Sequence, residues 1–387
     1  MRIALVASSY LPRLGGVEEH VYHLSRHLRR RGHDVAVWAP DQGDSVPDAD
    51  DGAPLRYLPT PLPNRSIAGA GRWLAQLSGA RAAWGAAERQ DAPEVIVVQC
   101  FGSTGPWATA LARRTGAPLV YANHGETFMD AHDSFQTSRL LRRALQTTLR
   151  SARAVTSCSA YAAADLDRFG SHPQTTIVGN GIELDLPGEA IVSPLPTRYI
   201  AGVGRLVDNK GFDVLIDAFA RARRDLADGT QLVLGGAGPA GEALAARAHQ
   251  RGIADHVHFT GPLSRGQVRT LLDGALLHVV PSRVEAFGIV ILEGWRSRVP
   301  VLSTNVGGPA DIIDDGVDGL LFDPTDADRL ATLIVRVAAD TDLRSAVVDG
   351  GAQSVTRYSW ERVADLYEVA LRDAIAGAVR APQEHRS

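Results

Sequence analysis

The stretch Leu276-Leu277-His278-Val279-Val280-Pro281-Ser282-Arg283-Val284-Glu285-Ala286-Phe287-Gly288-Ile289-Val290-Ile291-Leu292-Glu293 decides the reading of the fold. Its mostly apolar start, Leu276 to Val280, closed by Pro281 and Ser282, predicts a buried strand ending in a turn. The residues after that turn predict a helix that contains both Glu285 and Glu293. Two acids eight residues apart on one helix lie about 12 Å apart. A pair of glycosidase carboxylates flanks one bond at about 5 to 9.5 Å, so these two do not fit that chemistry. At the wider spacing they fit two ends of one hydroxyl-rich ligand, with helix N-terminal amides between them to receive an anion. A nucleoside diphosphate sugar has that layout. The plainer reading is a solvated amphipathic helix carrying two surface acids, and the rest of the chain bears on the choice.

With 387 residues the chain has room for two or three domains. A net charge of −4 argues against a dedicated nucleic-acid binder. Cys100 and Cys158 lie in apolar runs and read as buried thiols of a reducing compartment rather than a disulfide. No run of 18 apolar residues predicts a membrane span. The N-terminus, Met1 to Val6, reads as a strand with no cleavable signal. The expectation is a soluble, cytoplasmic protein.

Strands and helices alternate twice along the chain. Strands are predicted at 3–8, 34–39, 95–99, 118–123, 154–159 and 175–178, then at 199–203, 231–235, 257–260, 276–280, 299–303 and 319–322. Val17, Val21, Leu24 and Leu28 mark one face of the first helix. The alternation predicts an α/β protein with two parallel, doubly wound sheets. An N-terminal domain over 1–185 and a second domain over 198–358 flank a proline-bearing linker, 186–197 (Pro187, Pro194, Pro196). Ligands of such sheets bind at the carboxyl ends of the strands, here in a cleft that the two domains would share. A last helix over 359–378 has apolar Val363, Leu366, Val369, Ala370 and Ala374 with Gly377 as a stop signal, and 379–387 reads as a disordered tail.

Glycine-rich turns recur where strands end. Leu11-Pro12-Arg13-Leu14-Gly15-Gly16 opens the first helix, where glycines let amides approach an anion. It is not the dinucleotide fingerprint, which weighs against a dehydrogenase. Gly204-Arg205-Leu206-Val207-Asp208-Asn209-Lys210-Gly211 places two cations on one loop, able to reach a diphosphate. Gly235-Gly236-Ala237-Gly238 and Asn305-Val306-Gly307-Gly308-Pro309-Ala310-Asp311 come after two further strands. A tight turn, a packing contact or a solvated basic loop explains each one alone. Their recurrence on one edge favours a binding site.

With these motifs the chain resembles the family-4 glycosyltransferases of the GT-B fold, over nearly its whole length. The E-x7-E phrase, the Gly-Arg…Lys-Gly loop, Gly15-Gly16 and Asn180-Gly181 stand where that family has them. The resemblance implies two Rossmann-like domains, with the C-terminal helix crossing back to the first. It implies a retaining, metal-independent enzyme that moves a hexose-type sugar from a UDP- or GDP-linked donor to an acceptor hydroxyl. No cofactor is implied beyond the donor itself.

By the same resemblance Glu285 holds sugar hydroxyls and Glu293 the ribose. Gly204, Arg205 and Lys210 meet the diphosphate, and Gly236 lines the donor site. Amides of Phe287, Gly288 and Ile289 approach sugar and phosphate, and Gly16 touches the phosphate from the first domain. His124, in Tyr121-Ala122-Asn123-His124-Gly125-Glu126, matches the histidine placed near the transferred sugar; a lone strand-end histidine is otherwise often structural. His124, Arg205, Lys210 and Glu285 form the implied catalytic group, with Glu126 either meeting the acceptor or capping the next helix. Two departures stand out: Asp311 where the family often has Glu, and Gly294-Trp295-Arg296 in place of small residues after the second acid.

Retention without an enzymic nucleophile implies front-face attack, with the leaving phosphate helping to take the acceptor proton. Asp48-Ala49-Asp50 and Asp326-Ala327-Asp328 read as loop acids rather than a metal clasp. The basic segment from Arg139 to Arg153 reads either as a solvated helix or as a peripheral membrane contact. Monomer and homodimer are both open, and the 40–75 stretch gives no clue to the acceptor. A sugar-nucleotide epimerase, a phosphorylase and a silent sugar-nucleotide-binding protein are the competing readings.

Overall fold

The computed structural model describes residues 1–11, 15–41, 49–50, 52–62, 67–129 and 134–380. It divides into two compact units, Met1–Gly181 joined by the segment from Trp360 onward, and Ile182–Ser359.

The first unit is built on β1 (Arg2–Ala7), β2 (Asp34–Pro40), β3 (Ala49–Asp50), β4 (Ala53–Leu58), β5 (Val95–Gln99), β6 (Leu119–Asn123), β7 (Ala154–Ser157) and β8 (Thr175–Ile177). Their order is β3-β4-β2-β1-β5-β6-β7-β8, parallel except for the short β3–β4 pair. All six strands expected from sequence in this half are present. Strand β4 lies inside the 40–75 stretch, which the sequence left without an element. Pro54 and Pro59 interrupt the apolar signal there, yet Leu55 and Leu58 are buried. Helix Gly16–Arg30 buries Val21, Leu24 and Leu28 against one sheet face, as its spacing predicts. Helices Ile67–Asp91, Gly105–Thr115 and Arg139–Ser151 cover the other.

The last helix, Trp360–Arg380, belongs to this unit. It runs through Gly377 rather than stopping there, and residues 381–387 of the expected tail lie outside the described residues. Its buried face is Val363, Ala364, Tyr367, Ala370, Leu371 and Ala374, whereas Val369 is exposed. Tyr367, a polar aromatic, hid the true stripe. Arg31 fastens this helix with bonds to Asp365 (2.5 Å), Glu368 (3.2 Å) and the Glu361 carbonyl (2.8 Å).

In the second unit β9 (Tyr199–Val203), β10 (Gln231–Gly235), β11 (Val257–Phe259), β12 (Leu277–Val280), β13 (Val301–Thr304) and β14 (Leu320–Phe322) form an all-parallel sheet. The order β11-β10-β9-β12-β13-β14 reverses direction between β9 and β12. That reversal is where a doubly wound sheet opens a crevice for ligand. The boundary falls at Gly181–Ile182, ahead of the expected linker. The stretch 186–197 is not a free tether: the Glu189 amide donates to the Gly266 carbonyl (2.9 Å), Thr270 Oγ1 to the Glu189 carbonyl (2.7 Å), and Gln267 Nε2 to the Ala190 carbonyl (3.1 Å). The prolines signalled irregular backbone, and irregular backbone here is packed backbone.

One ion cluster braces helix Phe212–Ala222 within this unit. Asp217 takes paired bonds of 2.7–2.9 Å from both Arg247 and Arg251. Burial alone would raise its carboxyl, but the two guanidiniums hold it down at about 2. A depressed acid contributes stability above its unfolded pKa, and that contribution is lost as pH falls toward the folded value. Asp217→Asn is expected to cost about 1–2 kcal/mol at neutral pH, a modest figure because both guanidiniums are partly exposed. In urea melts the difference from the parent protein should shrink between about pH 4 and pH 2.

Candidate active site

The loops after β9 and β12 meet at the reversal point because glycine allows it. Gly211 has φ +66°, and a Cβ there would stand 2.0 Å from the Pro281 carbonyl oxygen. Backbone therefore lies on backbone. Arg283 locks the same contact, its guanidinium donating to both Asp213 oxygens (2.8 and 2.6 Å) and to the Asp208 carbonyl (2.7 Å). From the third side, a Cβ on Gly307 would lie 2.3 Å from the Glu285 carbonyl oxygen, and the Gly308 amide donates to that oxygen at 2.9 Å. Three loops thus fix the residues at 205–211 and 281–288.

The clamp brings Lys210 onto Glu285, with Nζ 2.5 Å from Oε2. Ser282 Oγ donates to the same oxygen at 3.3 Å. Glu285 is only 7% exposed, and its Oε1 has no protein donor among the described residues. A carboxylate held in this way offers one oxygen to a ligand hydroxyl. Its partner is a cation that can turn to an anion beside it. Arg205 is exposed on the same loop, without a side-chain partner among the described residues.

Glu285 is not on the helix. The helix runs Ile289–Arg296, opened by Gly288 at φ +100°, ψ 59°. The spacing of about 12 Å inferred from a continuous helix therefore does not hold. The physical reason is local: Gly288 adopts a left-handed turn that β-carbon residues resist, so the chain bends between the two acids. The amides of Phe287, Gly288 and Ile289 remain at the open helix end, with no acceptor among the described residues. Glu293 lies one turn in, half-buried.

Gly236 also has a packing role beside the Gly204 backbone. A Cβ on Gly236 would meet the Gly204 carbonyl oxygen at 2.0 Å. The glycine is needed for two loops to touch. Trp295 points away, donating Nε1–H to the Asp318 carbonyl (2.6 Å), and Arg296 donates to the Glu183 carbonyl (3.1 Å). The second Asp-x-Asp string is also accounted for, since Asp326 caps helix Ala327–Ala339 and Asp328 pairs with Arg221 (2.7 Å). Of the first string, Asp48 lies outside the described residues.

In the first unit, Gly16 begins its helix with Glu18 and Glu19 in the first turn, and Ser9 Oγ donates to Glu18. A carboxylate thus already stands near the amides expected to meet phosphate. Pro12, Arg13 and Leu14 of that loop lie outside the described residues. His124 comes directly after β6, half-buried, with Nε2 2.8 Å from Gln99 Oε1. Burial, then the neighbouring His20, push its imidazole well below the usual range, so it is neutral at pH 7. Glu126 does not face outward. Its Oε1 accepts from the Phe101 amide (2.5 Å) and the Tyr121 hydroxyl (2.7 Å), and its Oε2 from the His124 amide (2.9 Å). Within the protein it shapes the His124 turn. Burial raises its carboxyl, and these bonds oppose the rise.

Sequence reasoning missed Ser282, Arg283 and Gln99. Ser282 and Arg283 lie within three residues of Glu285, but the partners of Arg283 and Gln99 are 25 to 268 residues away, beyond any local pattern.

Comparison with known proteins agrees with this geometry. Residues 14–186 match the Glycosyltransferase Family 4 model and residues 189–354 the model for glycosyl transferases group 1. The chain is 28% identical to the GDP-mannose-dependent alpha-(1-6)-phosphatidylinositol monomannoside mannosyltransferase of Mycobacterium tuberculosis, over 94% of this chain and 96% of that one. It is 27% identical to D-inositol 3-phosphate glycosyltransferase of Acidothermus cellulolyticus, over 94% and 86%. Among solved structures, sucrose-phosphate synthase from Thermosynechococcus elongatus superposes with a TM-score of 0.78 at 22% identity, covering 97% of this chain and all of that one. Anabaena HepE in complex with UDP gives 0.73 at 20% identity, covering 96% and 100%.

Two parallel-sheet domains with this loop clamp at the second sheet's reversal point define a glycosyltransferase of the GT-B fold. The chain belongs to the family-4 glycosyltransferases, and its reaction is glycosyl transfer from a sugar nucleotide.

Proposed function

We propose that the chain moves a hexose from a UDP- or GDP-linked sugar to an acceptor hydroxyl, with retention of configuration and without a metal ion. The observation that carries this is the Lys210–Glu285 pair beside the amides of Phe287, Gly288 and Ile289, which have no acceptor among the described residues. On donor binding Lys210 turns to the diphosphate, joined by Arg205, while Glu285 takes sugar hydroxyls and Glu293 the ribose. Negative charge grows on the departing diphosphate, and fixed cations and helix-end amides stabilise it without reorganising. His124, a neutral imidazole, binds a hydroxyl of the sugar or acceptor. The name of the mannosyltransferase relative supports a guanosine donor, and the UDP held by the HepE structure supports a uridine one.

Thermal-shift screening against both nucleotide classes, followed by transfer assays, tests this. One class is expected to raise the melting point, because a ligand of the folded state stabilises it. Transfer should continue in a strong chelator. No shift with any nucleoside diphosphate sugar would contradict the reading.

Peripheral membrane contact is a further part of the proposal. Helix Arg139–Ser151 is strongly amphipathic, with Arg139, Leu140, Arg143 and Arg150 exposed. Among the described residues no helix is long and apolar enough to cross a membrane. Co-sedimentation with anionic vesicles that weakens with added salt is the expected result. Recovery in the supernatant at low salt would remove this part.

A further inference from the structure

A buried row of polar side chains in the first unit leads to His124 from three distant parts of the sequence. Asn180 Oδ1 lies 2.8 Å from His20 Nδ1, and His20 Nε2 lies 3.1 Å from the Tyr367 hydroxyl. That hydroxyl is 3.5 Å from Gln99 Oε1, which lies 2.8 Å from His124 Nε2. The His20 and His124 rings meet edge-on with centroids 4.6 Å apart. Asn180, His20, Tyr367 and Gln99 are all buried.

Counting protons gives the row a direction. Asn180 Oδ1 accepts, so His20 carries its proton on Nδ1. Its bare Nε2 then takes the Tyr367 proton. Gln99 Oε1 accepts too, so His124 carries its proton on Nε2. The Tyr367 proton is shared, chiefly with His20 Nε2 (3.1 Å) and secondarily with Gln99 Oε1 (3.5 Å), so the hydroxyl keeps the amide oxygen rather than Nε2 turned toward the row and His124. His124 Nδ1 has no protein partner among the described residues and remains an unprotonated acceptor.

We propose that Gln99, Tyr367 and His20 are positioning residues that hold His124 as the Nε2–H tautomer, presenting Nδ1 as an acceptor for a substrate hydroxyl. The kinetic half of this rests on the reading of His124 given under Proposed function. The row also links that tautomer to the places where the chain leaves and re-enters the first unit. Asn180 precedes Gly181, whose Cβ position would fall 2.4 Å from the Trp360 indole, and Trp360 opens the helix that carries Tyr367. His20 touches both ends, with the Trp360 ring 5.4 Å from its own.

The test uses the full chain with 15N-labelled histidine, without substrate, in a long-range proton–nitrogen correlation experiment. The His124 signals are assigned by their loss in His124→Gln. The expected spectrum has His124 protonated on Nε2 only. Tyr367→Phe and Gln99→Met, both close in shape to the parent side chains, should mix the tautomers. They should lower kcat about 3- to 10-fold with KM for the donor unchanged, the scale of one neutral hydrogen bond. Gln99 Nε2 is buried without an acceptor, and the opposite amide orientation would place it on His124 and drive the proton to Nδ1. A parent spectrum with Nδ1–H would therefore overturn the proposal, as would two variants with both spectrum and kcat unchanged. Full kcat in His124→Ala would instead overturn the role of His124 in transfer, and the kinetic half with it. The spectrum, recorded without substrate, would still decide the tautomer.

Discussion

Replacing Lys210 with alanine is expected to lower kcat/KM for glycosyl transfer about 10- to 150-fold, the equivalent of about 1.5–3 kcal/mol for one charged hydrogen bond. In the unliganded protein this ammonium is bonded to Glu285 at 2.5 Å, in a pocket where both side chains are mostly buried. In the mechanism we propose, donor binding exchanges that partner for a diphosphate oxygen whose charge rises as the sugar leaves. Stabilisation that grows toward the transition state appears in kcat, so kcat should carry most of the loss. Steady-state kinetics with the preferred donor separates the two parameters. A loss confined to KM would mean that Lys210 binds ground and transition states equally.

The second large effect concerns a residue with no assigned ligand contact. Gly307→Ala is expected to destabilise the protein by about 2–5 kcal/mol, combining backbone strain with overpacking. Gly307 has φ 77° and ψ −150°, and an added Cβ would stand 2.3 Å from the Glu285 carbonyl oxygen. Both atoms are fixed to backbone, so neither can swing aside. Either the loop with Glu285 shifts and transfer is lost, or the domain loosens. Gly316→Ala is the matched control: φ is 81°, but nothing lies within 4 Å of its Cβ position. Strain alone should cost it about 1–2 kcal/mol and leave kcat unchanged. Equal melting points for the two variants would show that crowding at Glu285 is not what Gly307 avoids.

Both residues show how far the sequence can be read. The twelve strand positions are legible because a parallel sheet buried on both faces needs near-continuous apolar runs, as at Val95–Gln99 and Leu277–Val280. Lys210 and Glu285 are legible as candidate site residues through motif and position after β9 and β12, and the structure brings them together. Their direct bond is not, since motif alone sends one to phosphate and the other to sugar. The helix starts four residues later than the pattern predicts, because Gly288 takes a left-handed turn there and a glycine in sequence does not announce which conformation it adopts. Gly236 and Glu126 are legible as special positions, while the contacts they make inside the protein are not. One is spared a side chain for packing, and the other is consumed by Phe101, Tyr121 and His124. The row from Asn180 to His124 is invisible in sequence, joining residues up to 347 apart. Histidines 20, 23 and 27 do fall at i, i+3 and i+7 beside the apolar stripe of helix Gly16–Arg30, and that periodicity is the one available hint.

The most direct test is a crystal structure of the chain with a non-hydrolysable analogue of the donor chosen by thermal shift. Lys210 Nζ is expected to have moved from Glu285 to a diphosphate oxygen, with Glu285 on the sugar hydroxyls and the amides of 287–289 on the sugar and phosphate. A bound analogue that leaves the Lys210–Glu285 pair intact, with its diphosphate away from the start of helix Ile289–Arg296, would contradict that mechanism.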